Sequence, residues 1–298
     1  MASTRFRSDP GLTARMGLVM LLVGGLYVTV MAVLIAGGAS FISVVFIAVA
    51  LGLGQWYFSD KLAMAAMRAR EVSPEEAPEL HAMVDRLVAM ADMPKPRVAI
   101  ADIDVPNAFA TGRSPNHSVV CVTTGILRRL DREELEGVVS HELSHVAHRD
   151  VLVMTFAGFL GVAAGLIMRW GFFFGGGNNR DSNNLPFIVI WLGSMVVYFV
   201  SFLLTRVLSR YRELSADRAG AYLTGKPSAL ASALTKISGD MSRIPTRDLR
   251  ETQAFNAFMF APALNRESVS SLFSTHPPLE QRLDQLAKIS NDLSRPAA

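Results

Sequence analysis

Residues 141–145, His-Glu-Leu-Ser-His, carry the groups with the clearest chemical potential in the chain. Residues four apart lie on one face of a helix, so the imidazoles of His141 and His145 can reach the same metal ion. Glu142, next to the first histidine, is then placed to take a proton from a water molecule at that metal. This H-E-x-x-H spacing predicts a zinc site with hydrolytic chemistry.

The flanking sequence predicts the helix that this spacing requires. Asp131 is a good N-cap, and Glu134 completes a capping-box pattern three residues later. An apolar stripe follows on the same helix, formed by Leu135, Val138, Val139 and Val146. The alternative is a helix that merely carries two surface or core histidines. The cap, the stripe and a later pair of carboxylates together favour the metal site.

Two positions beyond the motif bear on the class of site. The longer metzincin pattern would place a third histidine at position 151, which holds Val151, so that arrangement is not expected. His148 lies about one turn after His145. We interpret it as a polar residue at the helix end, with a metal ligand as the alternative.

A pair of carboxylates follows in residues 211–217, Tyr-Arg-Glu-Leu-Ser-Ala-Asp. Glu213 and Asp217 are one helical turn apart. Two histidines and Glu213 would leave the fourth zinc position open, as a catalytic zinc site requires. Asp217 could accept a hydrogen bond from a ligating histidine and fix its tautomer. An ordinary charged helix face is the alternative, since Arg212 and Arg218 flank the pair.

The composition is typical of a membrane protein with a water-exposed part. The 298 residues are 50% hydrophobic and only 18% charged, whereas soluble proteins carry about 25% charged residues. The net charge is +3, but no nucleic-acid-binding motif is visible and the basic residues flank apolar runs. The single cysteine, Cys121, cannot form an internal disulfide, which fits a reducing compartment. It lies in an apolar strand-like run and is predicted to be buried.

Four apolar runs predict four membrane crossings. Residues 16–59 contain no charged side chain and are about twice as long as one crossing needs, so we interpret them as crossings near 16–36 and 40–58. Residues 151–168 and 185–204 predict two more. A cleaved signal peptide is the alternative for the first run. A buried core helix or a re-entrant hairpin is the alternative for the later two.

Basic residues indicate the orientation of these crossings. Most of those near the apolar runs fall on one side of the four-crossing arrangement: Arg5, Arg7, Arg15, Lys61, Arg68, Arg70, Arg149, Arg206, Arg210 and Arg212. Only Arg169 and Arg180 fall on the other. The excess of positive charge predicts that both termini and the motif helix are cytoplasmic.

The intervening sequence predicts a helix and two strands. Residues 73–76, Ser-Pro-Glu-Glu, are expected to open an amphipathic helix that ends before Pro94. Residues 97–103 and 118–123 are expected to be strands.

Five motifs together resemble one family. They are residues 107–112 (Asn-Ala-Phe-Ala-Thr-Gly), 123–127 (Thr-Thr-Gly-Ile-Leu), 141–145, 213–217 (Glu-Leu-Ser-Ala-Asp) and 276–282 (His-Pro-Pro-Leu-Glu-Gln-Arg). With the apolar runs, they make the chain similar to the HtpX-like integral-membrane zinc metallopeptidases, relatives of the CAAX prenyl proteases. The resemblance covers most of the chain.

The resemblance implies an α+β membrane protein. We expect a mainly helical, zincin-like (gluzincin) catalytic domain with a small β-sheet, and about four transmembrane helices. The predicted parts are an N-terminal transmembrane hairpin, a first catalytic segment, a second hairpin and a second catalytic segment with the third ligand. They span residues 1–60, 61–150, 151–205 and 206–298 respectively.

The resemblance also implies roles for individual residues. His141, His145 and Glu213 would bind one zinc ion per chain, and Glu142 would be the general base. Asn107 would help to hold an extended substrate; a turn residue is the alternative. His276 and Arg282 would line the site and could steady the negative charge that develops on the substrate carbonyl. The alternatives for these two are a helix start and a solvated helical turn.

The expected activity is endopeptidase cleavage of polypeptides. His145 is six residues before Val151 and Glu213 nine after Leu204, so the site is expected near the cytoplasmic face of the bilayer. We expect cytoplasmic regions of misfolded or damaged membrane proteins as substrates, in a bacterial inner membrane. The partners would be polypeptides and membrane lipid, without nucleic acid. A processing protease for lipid-modified peptides and a non-catalytic zinc-binding scaffold are the alternatives.

Overall fold

The computed structural model describes residues 9–36, 40–150, 153–154, 185–243 and 277–294. The chain divides into two compact units. One unit comprises residues 11–57 and 152–208. The other comprises residues 1–10, 58–151 and 209–298.

The first unit consists, in its described part, of apolar helices. They are α1 (Pro10–Ala36), α2 (Phe41–Tyr57) and the first half of α7 (Leu185–Thr224). Stretches of α1 and α7, Pro10–Val30 and Leu192–Thr224, are long and apolar enough to cross a membrane. Only 11% and 22% of their most apolar windows are buried, whereas a core helix of a soluble protein would bury most of that surface.

Large side chains along these helices are correspondingly exposed, among them Leu21, Ile42 and Phe46. Such continuous exposed apolar surface fits a lipid environment better than water. The predicted runs at 16–36 and 185–204 thus coincide with helices suited to a membrane. The helix over 40–58 has 17 residues, and the run at 151–168 lies outside the described residues except for two positions. The predicted count of four crossings stays a prediction.

The second unit contains a four-stranded sheet. Its strands are β1 (Ala69–Glu71), β2 (Arg97–Ala101), β3 (Ala108–Ser114) and β4 (His117–Thr123), in the order β1-β2-β4-β3. Strands β2 and β4 are parallel, and the outer strands pair antiparallel to them. The small predicted sheet and both predicted strands are confirmed. Strand β3, which covers most of the 107–112 motif, ends the sheet on one side.

Helices cover the sheet and form most of this unit. They are α3 (Ser59–Ala66), α4 (Pro78–Ala91), α5 (Thr124–Arg129), α6 (Arg132–Ala147), the second half of α7, α8 (Pro227–Arg243) and α9 (Leu279–Ser294). Helix α4 begins later than predicted. Residues 73–76 form a separate turn, closed by hydrogen bonds between Ser73 and Glu76, and Pro78 then starts the helix.

Helix α6 carries the H-E-x-x-H motif and lies inside the unit. Its capping box is confirmed, because the Asp131 carboxylate accepts the N–H of Glu134 and the Glu134 carboxylate accepts the N–H of Asp131. Every residue from Glu134 to Val146 is buried. The predicted apolar stripe is therefore only part of the packed surface. The remaining surface holds polar side chains, which need partners to be buried without penalty.

Asp9 contacts the second half of α7 through its side chain. The Asp9 carboxylate is buried and accepts a hydrogen bond of 2.8 Å from the Ser215 hydroxyl. The Arg218 guanidinium forms an ion pair with the same carboxylate oxygen. This contact joins residues more than 200 positions apart within one unit, beside the Glu213 and Asp217 pair.

Cys121 provides a test of the packing of the sheet. Its side chain is fully buried on β4, and burial raises the pKa of its thiol to about 12. Only the thiolate reacts with alkylating reagents, so at pH 8 we expect alkylation roughly a thousandfold slower in the folded protein than after unfolding. Mass spectrometry after iodoacetamide treatment, with and without guanidinium, measures this difference. Rapid, complete alkylation of the folded protein would contradict the packing.

Candidate active site

Helices α6 and α7 bring three potential metal ligands together. His141, His145 and Glu213 are all buried, and one ligand atom from each lies within 4.8 Å of the other two. The Nε2 atoms of the two histidines are 3.2 Å apart. Each of these nitrogens lies 3.5 Å from an oxygen of the Glu213 carboxylate.

The second nitrogen of each ring is held by a different carboxylate. His141 Nδ1 lies 2.8 Å from Asp217, and His145 Nδ1 lies 2.8 Å from Asp150. A carboxylate accepts a hydrogen bond from Nδ1–H, so a neutral ring keeps its lone pair at Nε2. With both rings neutral, the two lone pairs would face each other at 3.2 Å, so the pair needs either a proton or a metal ion.

The spacing of these three groups suits zinc. Zinc binds nitrogen and oxygen ligands at about 2.0–2.2 Å, so neighbouring ligands of a tetrahedral ion are about 3.3–3.5 Å apart. The observed separations of 3.2 and 3.5 Å match this requirement. The donor set of two imidazoles and one carboxylate is also that of a catalytic zinc site, which leaves a position open for substrate or water.

Burial and charge act in opposite directions on the histidines. Burial lowers the pKa of His141, but the Asp217 and Glu213 carboxylates outweigh it and raise that pKa to about 9. Burial also lowers the pKa of His145, and there it prevails over the hydrogen bond to Asp150. The metal-free cluster therefore holds a proton at His141, which a metal ion must displace. Metal binding weakens as the pH falls.

Glu142 interacts with both the ligand cluster and the edge strand β3. Its buried carboxylate accepts a hydrogen bond of 2.9 Å from the Ala110 N–H on β3. Burial raises the pKa of Glu142 to about 7. A carboxyl group with a pKa near neutrality can take up and release a proton at working pH, which is what a general acid–base group requires.

Arg282 approaches the cluster through Asp217. Its Nε and Nη2 atoms donate to the two oxygens of Asp217 at 2.7 and 2.6 Å, and Nη1 lies 4.0 Å from Glu213. This bidentate pair orients the carboxylate that holds His141. The predicted contact of Arg282 with substrate stays a prediction, and the ion pair adds an orienting role. His276, the other predicted oxyanion group, lies outside the described residues.

Asn107 marks the start of β3 and is only 1% exposed. Its N–H donates to the Thr123 hydroxyl and its carbonyl accepts the Thr123 N–H, both at 2.9 Å. The same hydroxyl caps α5. The predicted contact of Asn107 with substrate stays a prediction. Of the β3 groups, the Ala110 N–H is the one seen to contact Glu142.

The structure adds residues that sequence reasoning missed. His148 caps the end of α6 with its ring nitrogen against the Ser144 carbonyl, as the helix-end interpretation expected, but Asp150 behind it was not predicted. At Gly220 of α7, an added Cβ would lie only 3.0 Å from the backbone nitrogen of His141. Glycine at this position therefore allows α7 to approach the ligand helix α6 closely. The Gly220 carbonyl also accepts a hydrogen bond from the Ser140 hydroxyl.

A buried His-His-Glu cluster beside a carboxylate and an edge strand defines a metallopeptidase. The family model for peptidase family M48 matches residues 74–290, so the chain belongs to this family. The match includes the ligand cluster, strand β3 and Arg282.

Close relatives refine this assignment to the HtpX type. Protease HtpX homolog 1 of Streptomyces coelicolor is 58% identical, over 99% of this chain and 98% of its own length. The Protease HtpX homologs of Moorella thermoacetica and Pyrococcus furiosus are 54% and 43% identical, over at least 95% of each chain. The resemblance found in the sequence is confirmed.

A solved structure shares the fold. The crystal structure of S. mikatae Ste24p has a TM-score of 0.54 to this chain, covering 93% of this chain and 67% of that one. The sequences are 17% identical. At that identity, the likeness concerns the fold alone.

Substitutions at the carboxylate pair test the ligand set. We expect Glu213→Ala to lose bound zinc, because it removes one of three protein ligands. Asp217→Ala should weaken zinc binding by roughly 10- to 100-fold, because it removes only the partner of His141. Metal analysis and chelator competition measure both effects. If Glu213→Ala kept tightly bound zinc in a 1:1 ratio, the third ligand would be another residue, and His148→Ala would be the next variant.

Proposed function

We propose that this protein is a zinc-dependent endopeptidase that hydrolyses peptide bonds in cytoplasmic regions of misfolded or damaged membrane proteins. The observation that carries the proposal is the position of Glu142. Its carboxylate interacts electrostatically with His141 and Glu213 of the ligand cluster and accepts a hydrogen bond from the edge-strand N–H of Ala110. A purely structural zinc site needs no such base and normally has four protein ligands.

The proposed mechanism divides the work between these groups. Bound zinc supplies the positive charge that polarises the scissile carbonyl and acidifies water. Glu142 removes a proton from the attacking water molecule and then delivers it to the leaving amine. Burial raises its pKa, which favours the return of the proton in the second step. Asp217 keeps a proton of His141 on Nδ1, so that its Nε2 lone pair can bind the metal.

Strand β3 supports a substrate of extended polypeptide. Asn107 pairs with Thr123 of β4, and backbone groups alternate in direction along a strand, so those of Ala108 and Ala110 point away from β4. An extended peptide added to this edge would be bound largely through its main chain. Such binding gives little selectivity for side chains, which suits a protease that acts on many unfolded segments.

The apolar helices support a membrane location for this activity. The first catalytic segment ends just before the apolar run at 151–168, and the second begins just after the run at 185–204. Basic residues flank both runs on the predicted cytoplasmic side. A site close to the membrane face would reach cytoplasmic loops and tails of other membrane proteins. We therefore propose a multi-pass protein of a bacterial inner membrane, with four crossings and a role in membrane-protein quality control.

Replacement of Glu142 tests the catalytic proposal. We expect Glu142→Gln to keep zinc but to lower proteolysis by about 100-fold or more, because glutamine cannot accept the proton. Turnover of casein by detergent-purified, zinc-loaded protein measures the activity, and metal analysis of the same preparation measures the zinc. Glu133→Gln is the matched control, since Glu133 is an exposed residue of the same helix.

The outcomes of this experiment separate the alternatives. Full activity of Glu142→Gln on casein would contradict the assigned base. A zinc-loaded wild type that cleaves no unmodified protein, but cleaves a prenylated peptide, would favour the processing protease. A wild type that cleaves neither would favour the scaffold.

Thiol labelling tests the proposed topology. We would introduce Ser182→Cys or Ser294→Cys in a Cys121→Ala background and treat intact cells with a membrane-impermeant reagent. Position 294 is exposed at the end of α9, and position 182 belongs to the predicted outward loop. We expect labelling at 182 in intact cells, and at 294 only after lysis, because the basic flanks stay inside. Labelling of 294 in intact cells would mean that the orientation is inverted.

A further inference from the structure

Each histidine of the ligand cluster is hydrogen-bonded to an aspartate that in turn pairs with an arginine, so two similar chains of side-chain contacts support the cluster. On one side, Arg282 binds Asp217, which holds His141. On the other side, Asp150 holds His145, and the Arg212 Nε lies 2.9 Å from the same Asp150 oxygen. The first chain contains residues that the family motifs predicted. The second contains two residues to which no role has been assigned.

The Asp150–Arg212 pair is also largely shielded from water, although less completely than the Asp217–Arg282 pair. Asp150 is 1% exposed, and Arg212 shows only 11% of its side chain. An ionised carboxylate is costly to bury unless it is paired. Asp150 meets this requirement through His145 and Arg212 together. A surface ion pair placed there by chance would not be excluded from water to this degree.

The backbone before Asp150 is shaped to return this carboxylate to the ligand helix. Helix α6 ends at Ala147, His148 caps it, and Arg149 adopts a left-handed conformation with φ of 57°. The Arg149 N–H bonds to the Val146 carbonyl at 3.1 Å. Glycine is the residue normally favoured at this position. A non-glycine residue here is held in an unfavourable conformation by its surroundings, and the turn brings Asp150 back against His145.

Arg212 connects this arrangement to the third ligand. It directly precedes Glu213 in α7, so adjacent residues of one helix supply a carboxylate to the metal cluster and a guanidinium to Asp150. The end of α6 and the ligand-bearing turn of α7 are therefore joined at two neighbouring points. Any shift of α7 along α6 would disturb both contacts.

We propose that Asp150, held in place by Arg212, is a positioning residue for the second histidine of the zinc site. Its carboxylate keeps the proton of His145 on Nδ1 and fixes the ring, so that the Nε2 lone pair faces the metal. In the Asp150→Asn variant, the side-chain amide could instead donate its N–H to Nδ1 and favour the wrong tautomer. The inference rests on the proposed zinc function.

The test compares Asp150→Asn and Arg212→Gln with Glu133→Gln in full-length, detergent-purified protein. Zinc affinity is measured by competition with a chromogenic chelator, and the unfolding temperature is measured on metal-free samples. We expect Asp150→Asn to bind zinc about 10- to 100-fold more weakly, the usual cost of removing such a partner. Arg212→Gln should weaken zinc binding in the same direction, and the double variant should be no worse than Asp150→Asn. Glu133→Gln is the control, because Glu133 is an exposed residue of α6 whose surface ion pair contributes little; it should leave zinc affinity unchanged.

The wild type distinguishes the two possible failures. A wild type that binds no zinc would overturn the proposed function itself. A wild type that binds zinc, with Asp150→Asn binding equally tightly, would overturn only the positioning role. The positioning role is also overturned if Asp150→Asn lowers only the unfolding temperature. Should Asp150→Asn fail to fold, Arg212→Gln decides: unchanged zinc affinity in that variant overturns the proposal, and weakened affinity with an unchanged unfolding temperature supports it.

Discussion

Two imidazole nitrogens facing each other at 3.2 Å are the constraint on which the rest of this catalytic unit depends. With both Nδ1–H groups bonded to carboxylates, the proton that the metal-free cluster holds lies at the Nε2 of His141, and it must leave before both Nε2 atoms can bind a metal. The surrounding protein must hold these two nitrogens together in either state. Burial of α6 on all sides, the close approach of α7 at Gly220 and the capping box at the helix start all serve that end.

The charges around the cluster lead to the same conclusion as its geometry. Four buried carboxylates, those of Glu142, Asp150, Glu213 and Asp217, surround the two histidine rings, which are both neutral once a metal ion has displaced the extra proton of His141. The guanidiniums of Arg212 and Arg282 compensate for two of them, so the cluster has a formal charge of −2 when Glu142 is ionised. A divalent cation balances this charge. Burial would otherwise make such an excess of negative charge strongly destabilising. The pKa of Glu142 rises mainly because its carboxylate is buried, and that of His141 rises because the Asp217 and Glu213 carboxylates outweigh the effect of burial.

Most local signals predicted the structure correctly, although helix α4 begins later than expected. Of the contacts between distant segments, those of Glu213 and Asp217 with the histidines were predicted, and those of Asp150, Arg212 and Gly220 were not. The capping box, the H-E-x-x-H spacing and the strands beginning at Arg97 and Ser118 depend on neighbouring residues, and the structure contains all of them. Asp150 was missed because its role depends on a left-handed turn at Arg149, a residue type that gives no hint of one. The packed polar side of α6 was missed because Ser140 finds its partner 80 residues away, at Gly220.

The contacts of Asp9 cannot form until late in the synthesis of the chain. The Asp9 carboxylate is made early in translation, but Ser215 and Arg218, which bind it, follow 206 and 209 residues later. At about 5–20 residues per second, this interval lasts roughly 10–40 seconds. His141 and His145 are also synthesised well before Glu213, so a nascent chain lacks the complete ligand cluster until α7 has been made. A growing chain therefore cannot bind a metal through all three ligands until more than two thirds of its length has been synthesised.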